Sequence, residues 1–233
     1  MTQQASSDFI ELHNVAKQYR RGREIVAALS NIDLGIKRGE LVAIVGPSGA
    51  GKTTLSHIIG GLTTPDAGYV AVNGKQLSRR SDRSLSRYRN TTVGFIFQSF
   101  SLISGYSALE NVMIPLVIAG MGLSKRRKLA THYLEIVGLG KQIKQPVEQL
   151  SGGQRQRVSI ARALAHQPQI IIADEPTGSL DSNRGLEIMQ ILETLSRKED
   201  ITVIMVTHDE QLAQRADRII HIVDGTIAKE SYR

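Results

Sequence analysis

Gly46-Pro47-Ser48-Gly49-Ala50-Gly51-Lys52-Thr53 decides the reading of this chain. It fits the spacing G-x-x-x-x-G-K-[ST] throughout, and its flanks are those the spacing requires. Leu41-Val42-Ala43-Ile44-Val45 before it is a continuous apolar run, the pattern of a strand buried on both faces. Lys52 to Ile59 after it reads as a helix. Glycines let backbone N–H groups turn inward around phosphates, and a helix N-terminus adds a positive field. Residues Gly46 to Thr54 are therefore the expected nucleotide-binding loop. Lys52 is expected to reach the β- and γ-phosphates and Thr53 to ligate Mg²⁺.

A second strand extends the argument. Ile170-Ile171-Ile172-Ala173-Asp174-Glu175 is an apolar run ending in two carboxylates. Parallel strands collect ligand chemistry at their carboxyl ends. Asp174 is placed to hold Mg²⁺, and Glu175, one residue on, to act as general base toward an attacking water. The other reading is a solvated acidic turn before Pro176. Between these two motifs lies Leu150-Ser151-Gly152-Gly153-Gln154, ahead of a segment carrying Arg155, Arg157 and Arg162. A serine and two glycines at a helix start make a second anion site. One chain rarely needs two cradles, and a head-to-tail dimer, each cradle completing the partner's site, explains both. The plainer alternative is Ser151 as an N-cap.

The rest of the chain agrees with an α/β protein. Phe9 to Val15 and Ala28 to Ile36 alternate apolar and polar, as half-buried strands do. Asn73-Gly74 and Asp224-Gly225 are hairpin turns. Roughly Ser99 to Lys144 reads as mostly helical, with helical periodicity in Lys125 to Val137. Strand–helix alternation returns with Ile170 to Ala173 and Val203 to Val206. The expected fold is one domain, 1–233. It has a P-loop core with a parallel sheet, an N-terminal antiparallel β-subdomain and an inserted helical subdomain. The core and β-subdomain are expected over about 1–98 and 166–233, and the helical part over about 99–165.

Composition bounds the function. The 233 residues are 41% hydrophobic and 22% charged, an ordinary globular balance. No cysteine is present, which excludes a disulfide scaffold, a thiolate metal site and a cysteine nucleophile. Trp is absent and aromatics are 4%, which argues against a stacking platform for nucleic acid. A net charge of +7 suits a phosphate-bearing partner or an anionic membrane. Met1 to Asp8 is polar and does not read as a signal peptide. The longest apolar stretch, Val112 to Met121, is interrupted by Pro115 and Gly120 and falls short of the ~20 residues of a spanning helix. A soluble, cytoplasmic chain is expected.

With these motifs in this order, the chain resembles the ATP-binding subunits of ABC transporters, over about Phe9 to Lys229. The pentapeptide Leu150–Gln154 is the most specific part of the likeness. The resemblance implies ATP and Mg²⁺ as cofactors, ATP hydrolysis, and a homodimer in the ATP-bound state. It implies a membrane-spanning permease as partner and a place on the inner face of the plasma membrane. Ser151, Gly152, Gly153 and Gln154 would then bind nucleotide from the opposite copy. Tyr19 resembles the aromatic that stacks on adenine, its alternative being a strand-end core aromatic. Gln98 resembles the loop glutamine that senses Mg²⁺ and the membrane subunit, its alternative a polar residue after a strand. Ser179-Leu180-Asp181 resembles the dimer-contact loop. His208 resembles the switch histidine at the γ-phosphate. Lys52, Gln98, Glu175 and His208 are the catalytic set so implied, and Thr53, Gln98 and Asp174 the metal set.

Leu109-Glu110-Asn111-Val112 with Pro115, and Glu175 to Asp181, are similar to the macrolide-export and lipoprotein-release subgroup. Ser179 departs from the commoner asparagine. Rival readings keep the ATPase. One acts on nucleic acid or ribosomes, the other controls a cell-wall hydrolase through a membrane partner. The first suits this chain poorly, since no sustained heptads separate Lys52 from Asp174. The remaining histidines, His13, His57, His132, His166 and His221, show no metal-ligand spacing. Two basic clusters, Arg79 to Arg89 and Lys125 to Lys128, read as solvated surface or as attraction to an anionic leaflet.

Overall fold

The structure, a computed structural model, describes residues 8–22, 24–78 and 80–233, without the side chain of Arg21. The polar start Met1 to Ser7 and Arg79 of the first basic cluster lie outside the described residues.

Two sheets organise the chain. Strands β1 (Ile10–Arg21) and β2 (Glu24–Ile36) form a long antiparallel hairpin. After them come β3 (Leu41–Val45), α1 (Lys52–Ile59), β4 (Ala67–Val72), β5 (Lys75–Gln76), α2 (Asp82–Thr92) and β6 (Val93–Phe97). The order in the first sheet is β2-β1-β4-β5, all antiparallel. Helices α3 (Ala108–Ile118), α4 (Leu123–Ile136) and α5 (Gly152–Leu164) pack on one another, with a 3₁₀ turn at Val147–Gln149. The chain ends with β7 (Ile170–Asp174), α6 (Ser182–Glu199), β8 (Thr202–Val206), α7 (Glu210–Ala213), β9 (Arg218–Val223) and β10 (Thr226–Tyr232). The second sheet runs β10-β9-β3-β8-β7-β6, parallel except for β10.

Burial on both faces explains the apolar runs. Successive side chains of a strand face opposite ways. Leu41, Ala43 and Val45 of β3, Ile171 and Ala173 of β7, and Val203 and Met205 of β8 pack with the helices α3 to α6. Val42, Ile44, Ile170, Ile172, Ile204 and Val206 pack on the other side with α1 and the antiparallel sheet. No polar alternation survives, because neither face meets water.

The two hairpin turns sit where glycine and asparagine or aspartate place left-handed residues, at Asn73-Gly74 and Asp224-Gly225. Three local outcomes differ from the linear reading. Helix α2 falls in a stretch read only as basic and serine-rich: just Leu85 and Tyr88 are buried, too few to show a period. Its start is set by Ser81, whose hydroxyl accepts from the Ser84 N–H. Ser99 to Ser107, within the stretch read as mostly helical, forms no helix. Pro115 does not end α3; a Ser107–Glu110 capping box and the buried stripe Ala108, Leu109, Val112 and Leu116 carry the helix through it to Ile118.

Candidate nucleotide site

The parallel strands β3, β8, β7 and β6 lie side by side, and their carboxyl ends carry the motifs read from the sequence. Gly46 follows β3, His208 lies beyond β8, Asp174 ends β7 and Gln98 follows β6. Sheet order thus brings together residues far apart in sequence.

The loop Gly46–Gly51 is built on left-handed glycines. Gly46 has φ 152° and Gly51 φ 104°. A Cβ at Gly46 would run into the Ile222 carbonyl, and one at Gly51 into the Ala28 carbonyl. Neither position accepts a side chain, so the loop shape depends on both glycines. Helix α1 starts with no side-chain cap, which leaves its first N–H groups open. Lys52 is buried to 9% exposure and its ammonium donates to the carbonyls of Gly46 at 2.8 Å and Pro47 at 2.9 Å. The lysine is folded back on its own loop. Thr53 faces outward, and its hydroxyl lies 3.5 Å from Asp174 Oδ2. Burial pushes the Asp174 carboxyl above its ordinary range; nearby His57 opposes that, Glu175 adds to it, and Thr53 and Lys52 oppose it further.

Glu175 is held in an unusual pose. Its φ is 48°, and its N–H donates to the Val206 carbonyl at 2.9 Å. Oε1 lies 2.9 Å from His208 Nδ1, while Oε2 is buried with no hydrogen-bond partner. His208 itself is 71% exposed at its side chain, so the pair reaches from a sheltered carboxylate to solvent. Gln98 is exposed, and its side-chain amide lies against Gly178, close enough that a Cβ there would meet Nε2 at 2.9 Å. Gln98 and the Pro176–Asp181 turn are therefore neighbours. Asp181 caps α6 through the Arg184 N–H at 3.0 Å.

The Leu150–Gln154 stretch starts α5 with a full capping box. Ser151 Oγ accepts from Gln154 N–H, and Gln154 Oε1 accepts from Ser151 N–H at 2.9 Å. Ser151 remains exposed. Among the described residues no hydrogen bond joins this turn to Gly46–Thr54. Tyr19, in the β1–β2 hairpin opposite Val26, is 44% exposed with the Lys17 ammonium 5.6 Å from its ring centre. It is not a core aromatic.

Several connections carried no sequence signal. Arg162 donates to the carbonyls of Ser101 and, at 2.9 Å, Phe100, two successive residues with φ of 48° and 60° just after Gln98. Arg155 lies 5.3 Å from the Phe100 ring. Gln156 Nε2 donates to the Pro176 carbonyl at 2.7 Å. Arg157 donates to the Val137 carbonyl and pairs with Glu187 at 2.8 Å. The arginines after Ser151 thus tie α5 to the Gln98 loop, the Val137 end of α4 and α6. An arginine aimed at a carbonyl cannot be told in sequence from a solvated one.

A parallel sheet with a glycine phosphate loop, a facing aspartate and a sheltered glutamate defines a P-loop nucleoside triphosphatase. The profile of the ABC transporter family matches residues 29–178. An uncharacterised ABC transporter ATP-binding protein of Methanocaldococcus jannaschii is 49% identical over 94% of this chain and 98% of its own. The lipoprotein-releasing system ATP-binding protein LolD of Bacteroides thetaiotaomicron is 45% identical, over 95% of this chain and 100% of its own. The macrolide export ATP-binding/permease protein MacB of Bartonella quintana is also 45% identical, and the match spans 99% of this chain but 35% of MacB. A dimeric, post-hydrolysis structure of the ATP-binding cassette MJ0796 with ADP and phosphate superposes with a TM-score of 0.89 at 44% identity, covering 96% of this chain and 98% of that one. The chain belongs to the ABC transporter family, as an ATP-binding component that hydrolyses ATP. No helix among the described residues is long and apolar enough to cross a membrane.

Proposed function

We propose that two copies of this chain bind ATP head to tail and hydrolyse it to drive a membrane-spanning permease. In this reading Gly46–Thr54 of one copy cradles the phosphates, with Lys52 turning from its own loop toward the β- and γ-phosphates. Ser151, Gly152, Gly153 and Gln154 of the other copy close the site from the far side. Tyr19 lies under the adenine. Glu175 takes the proton from the attacking water. His208 holds Glu175 through Nδ1 and offers its exposed edge to the γ-phosphate. Thr53, Asp174 and Gln98 would supply hard oxygen donors of the kind that suit Mg²⁺, which would offset phosphate charge there.

The observation that carries the reading is Glu175. A buried carboxylate oxygen with no partner is costly, and such atoms mark places where a ligand or water completes the bonding. Residues 99–165 act as one arm that carries the Ser151 cradle. A groove of about 400 Å³ that includes Phe97, the residue before Gln98, and is lined by Phe95, Ile114 and Pro115, receives the permease. The chain works from the cytoplasm, on the inner face of the plasma membrane. Its likeness to LolD and MacB supports a macrolide-export or lipoprotein-release system.

The test is Glu175→Gln, which keeps the shape and removes the proton acceptor. Single-turnover hydrolysis should fall by ~10²-fold or more, with ATP affinity kept. Near-normal hydrolysis contradicts the assignment.

A further inference from the structure

The turn between α3 and α4 exposes apolar side chains and is followed by a run of cations. Val117 is 51% exposed, Ile118 71% and Leu123 59%, all within one short hairpin of helices. The turn is tightly made: Gly120 N–H donates to the Val117 carbonyl at 2.9 Å and Met121 N–H to that of Leu116 at 3.0 Å. Immediately after it Lys125, Arg126, Arg127 and Lys128 open α4.

Helix stability does not explain these cations. Positive side chains oppose the helix dipole at an N-terminus, where acids are preferred. The first turn of α4 has no acid, and its Gly122 N-cap makes no side-chain bond. Arg126 turns back toward the Met121 carbonyl at 3.5 Å. Among the described residues the side chains of Lys125, Arg127 and Lys128 make neither ion pair nor hydrogen bond. Glu135 lies further along the same shallow face of α4 as Arg127 and Lys128. The other basic cluster is partly employed: Arg80 donates to the Gln76 carbonyl at 2.8 Å and Arg89 to that of Gly61 at 2.7 Å.

We propose that this turn is a lipid-contacting foot, with Val117, Ile118 and Leu123 entering the headgroup boundary of an anionic bilayer and Lys125, Arg127 and Lys128 meeting its phosphates. Exposed aliphatic side chains next in sequence to unpaired cations, with Leu123 on the same face of α4 as Arg127 and Lys128, match interfacial insertion. Ile118 also borders the groove that holds Phe95 and Phe97, so the foot is continuous with the surface assigned to the permease. That continuity rests on the permease reading. Lipid binding itself does not, and it is measured without permease or nucleotide, so the two fail separately.

The chain has no cysteine, so a single Leu123→Cys variant takes one environment-sensitive fluorophore without background. Its emission should shift to the blue with phosphatidylglycerol vesicles and stay unchanged with phosphatidylcholine vesicles. Neither inorganic phosphate nor polyglutamate should reproduce the shift. Each cation at an anionic leaflet is worth roughly fivefold in partitioning. Lys125→Gln, Arg127→Gln and Lys128→Gln together should weaken vesicle affinity about a hundredfold. Lys75→Gln, Arg83→Gln and Arg87→Gln together, an equal change of charge elsewhere, should weaken it far less. ATPase activity confirms that each variant folds. The proposal is overturned by no shift on anionic vesicles, or by an equal shift from a label at Tyr232→Cys. It is also overturned if phosphate or polyglutamate gives the same shift, or if the control triple variant loses as much affinity.

Discussion

Replacing Lys52 by alanine separates the architecture of the phosphate loop from its chemistry. The ammonium makes two hydrogen bonds, to Gly46 and Pro47 carbonyls at 2.8 and 2.9 Å. Losing two charge-assisted bonds destabilises, but losing a buried cation that is 9% exposed relieves desolvation. Pro47 is exposed and its carbonyl can turn to water. Alanine also favours the helix. These effects offset to within ~2 kcal/mol, or about 4–8 °C in melting temperature for a chain of this size. The transition state is different. One positioned charge beside a transferring phosphate is worth ~3–4 kcal/mol, so turnover should fall ~10²–10³-fold or more. Binding has its own signature. ATP at a hundred times its dissociation constant stabilises wild type by ~2.7 kcal/mol, a rise of roughly 5–10 °C. The variant should lose most of that rise. Thermal unfolding with and without Mg-ATP, alongside phosphate release, reads all three. Turnover within tenfold of wild type refutes the role of Lys52. A fall of more than ~15 °C without nucleotide, well past the loss expected from offsetting effects, makes the lysine chiefly a structural tie.

Tyr19→Ala should raise the ATP dissociation constant by about 5- to 150-fold, the range of ~1–3 kcal/mol for aromatic–base stacking, with maximal rate little changed. Titration calorimetry showing an unchanged constant removes Tyr19 from the site. His166 gives a pH dependence of stability. Burial lowers its imidazole below the ordinary 6.5, against a weaker opposing bond to the Val93 carbonyl at 3.1 Å. The folded state therefore holds the ring neutral, and the unfolded chain binds more protons as pH falls through 6.5. Stability should drop from there down to the lower folded value. Urea midpoints at several pH values should flatten across that window in His166→Gln; an unchanged slope assigns the dependence to other groups.

Much of this fold is legible in sequence because its strands are buried on both faces. The runs Leu41–Val45, Ile170–Ala173 and Val203–Val206 need no periodicity to be found, and the glycine loop fixes the turn and helix after β3. The antiparallel hairpin turns are legible through Asn73-Gly74 and Asp224-Gly225. The features that escape are those that depend on tertiary aim. Helix α2 shows too few apolar residues to declare itself. The grip of Arg162 on the left-handed pair Phe100 and Ser101, and of Gln156 on the Pro176 carbonyl, is invisible because arginine and glutamine look alike whether tied or solvated. Exposure removes the core reading of Tyr19, which sequence leaves open. The meeting of Gln98 with Gly178 comes from the adjacency of β6 and β7, which no local pattern encodes.

The measurement closest to the central claim is the mass of Glu175→Gln by size exclusion with light scattering. One copy leaves Ser151 exposed at the start of α5, and among the described residues no hydrogen bond links it to the phosphate loop. A second copy must therefore bring that turn to the nucleotide if the site is composite. Trapped ATP then contacts both copies, and its binding energy is linked to association. The variant should run as a dimer in saturating Mg-ATP and as a monomer in ADP. Adding Ser151→Arg, a bulky cation at the second cradle, should restore the monomer with ATP still bound. A monomer in Mg-ATP for the single variant, or a persistent dimer for the double variant, contradicts the shared site.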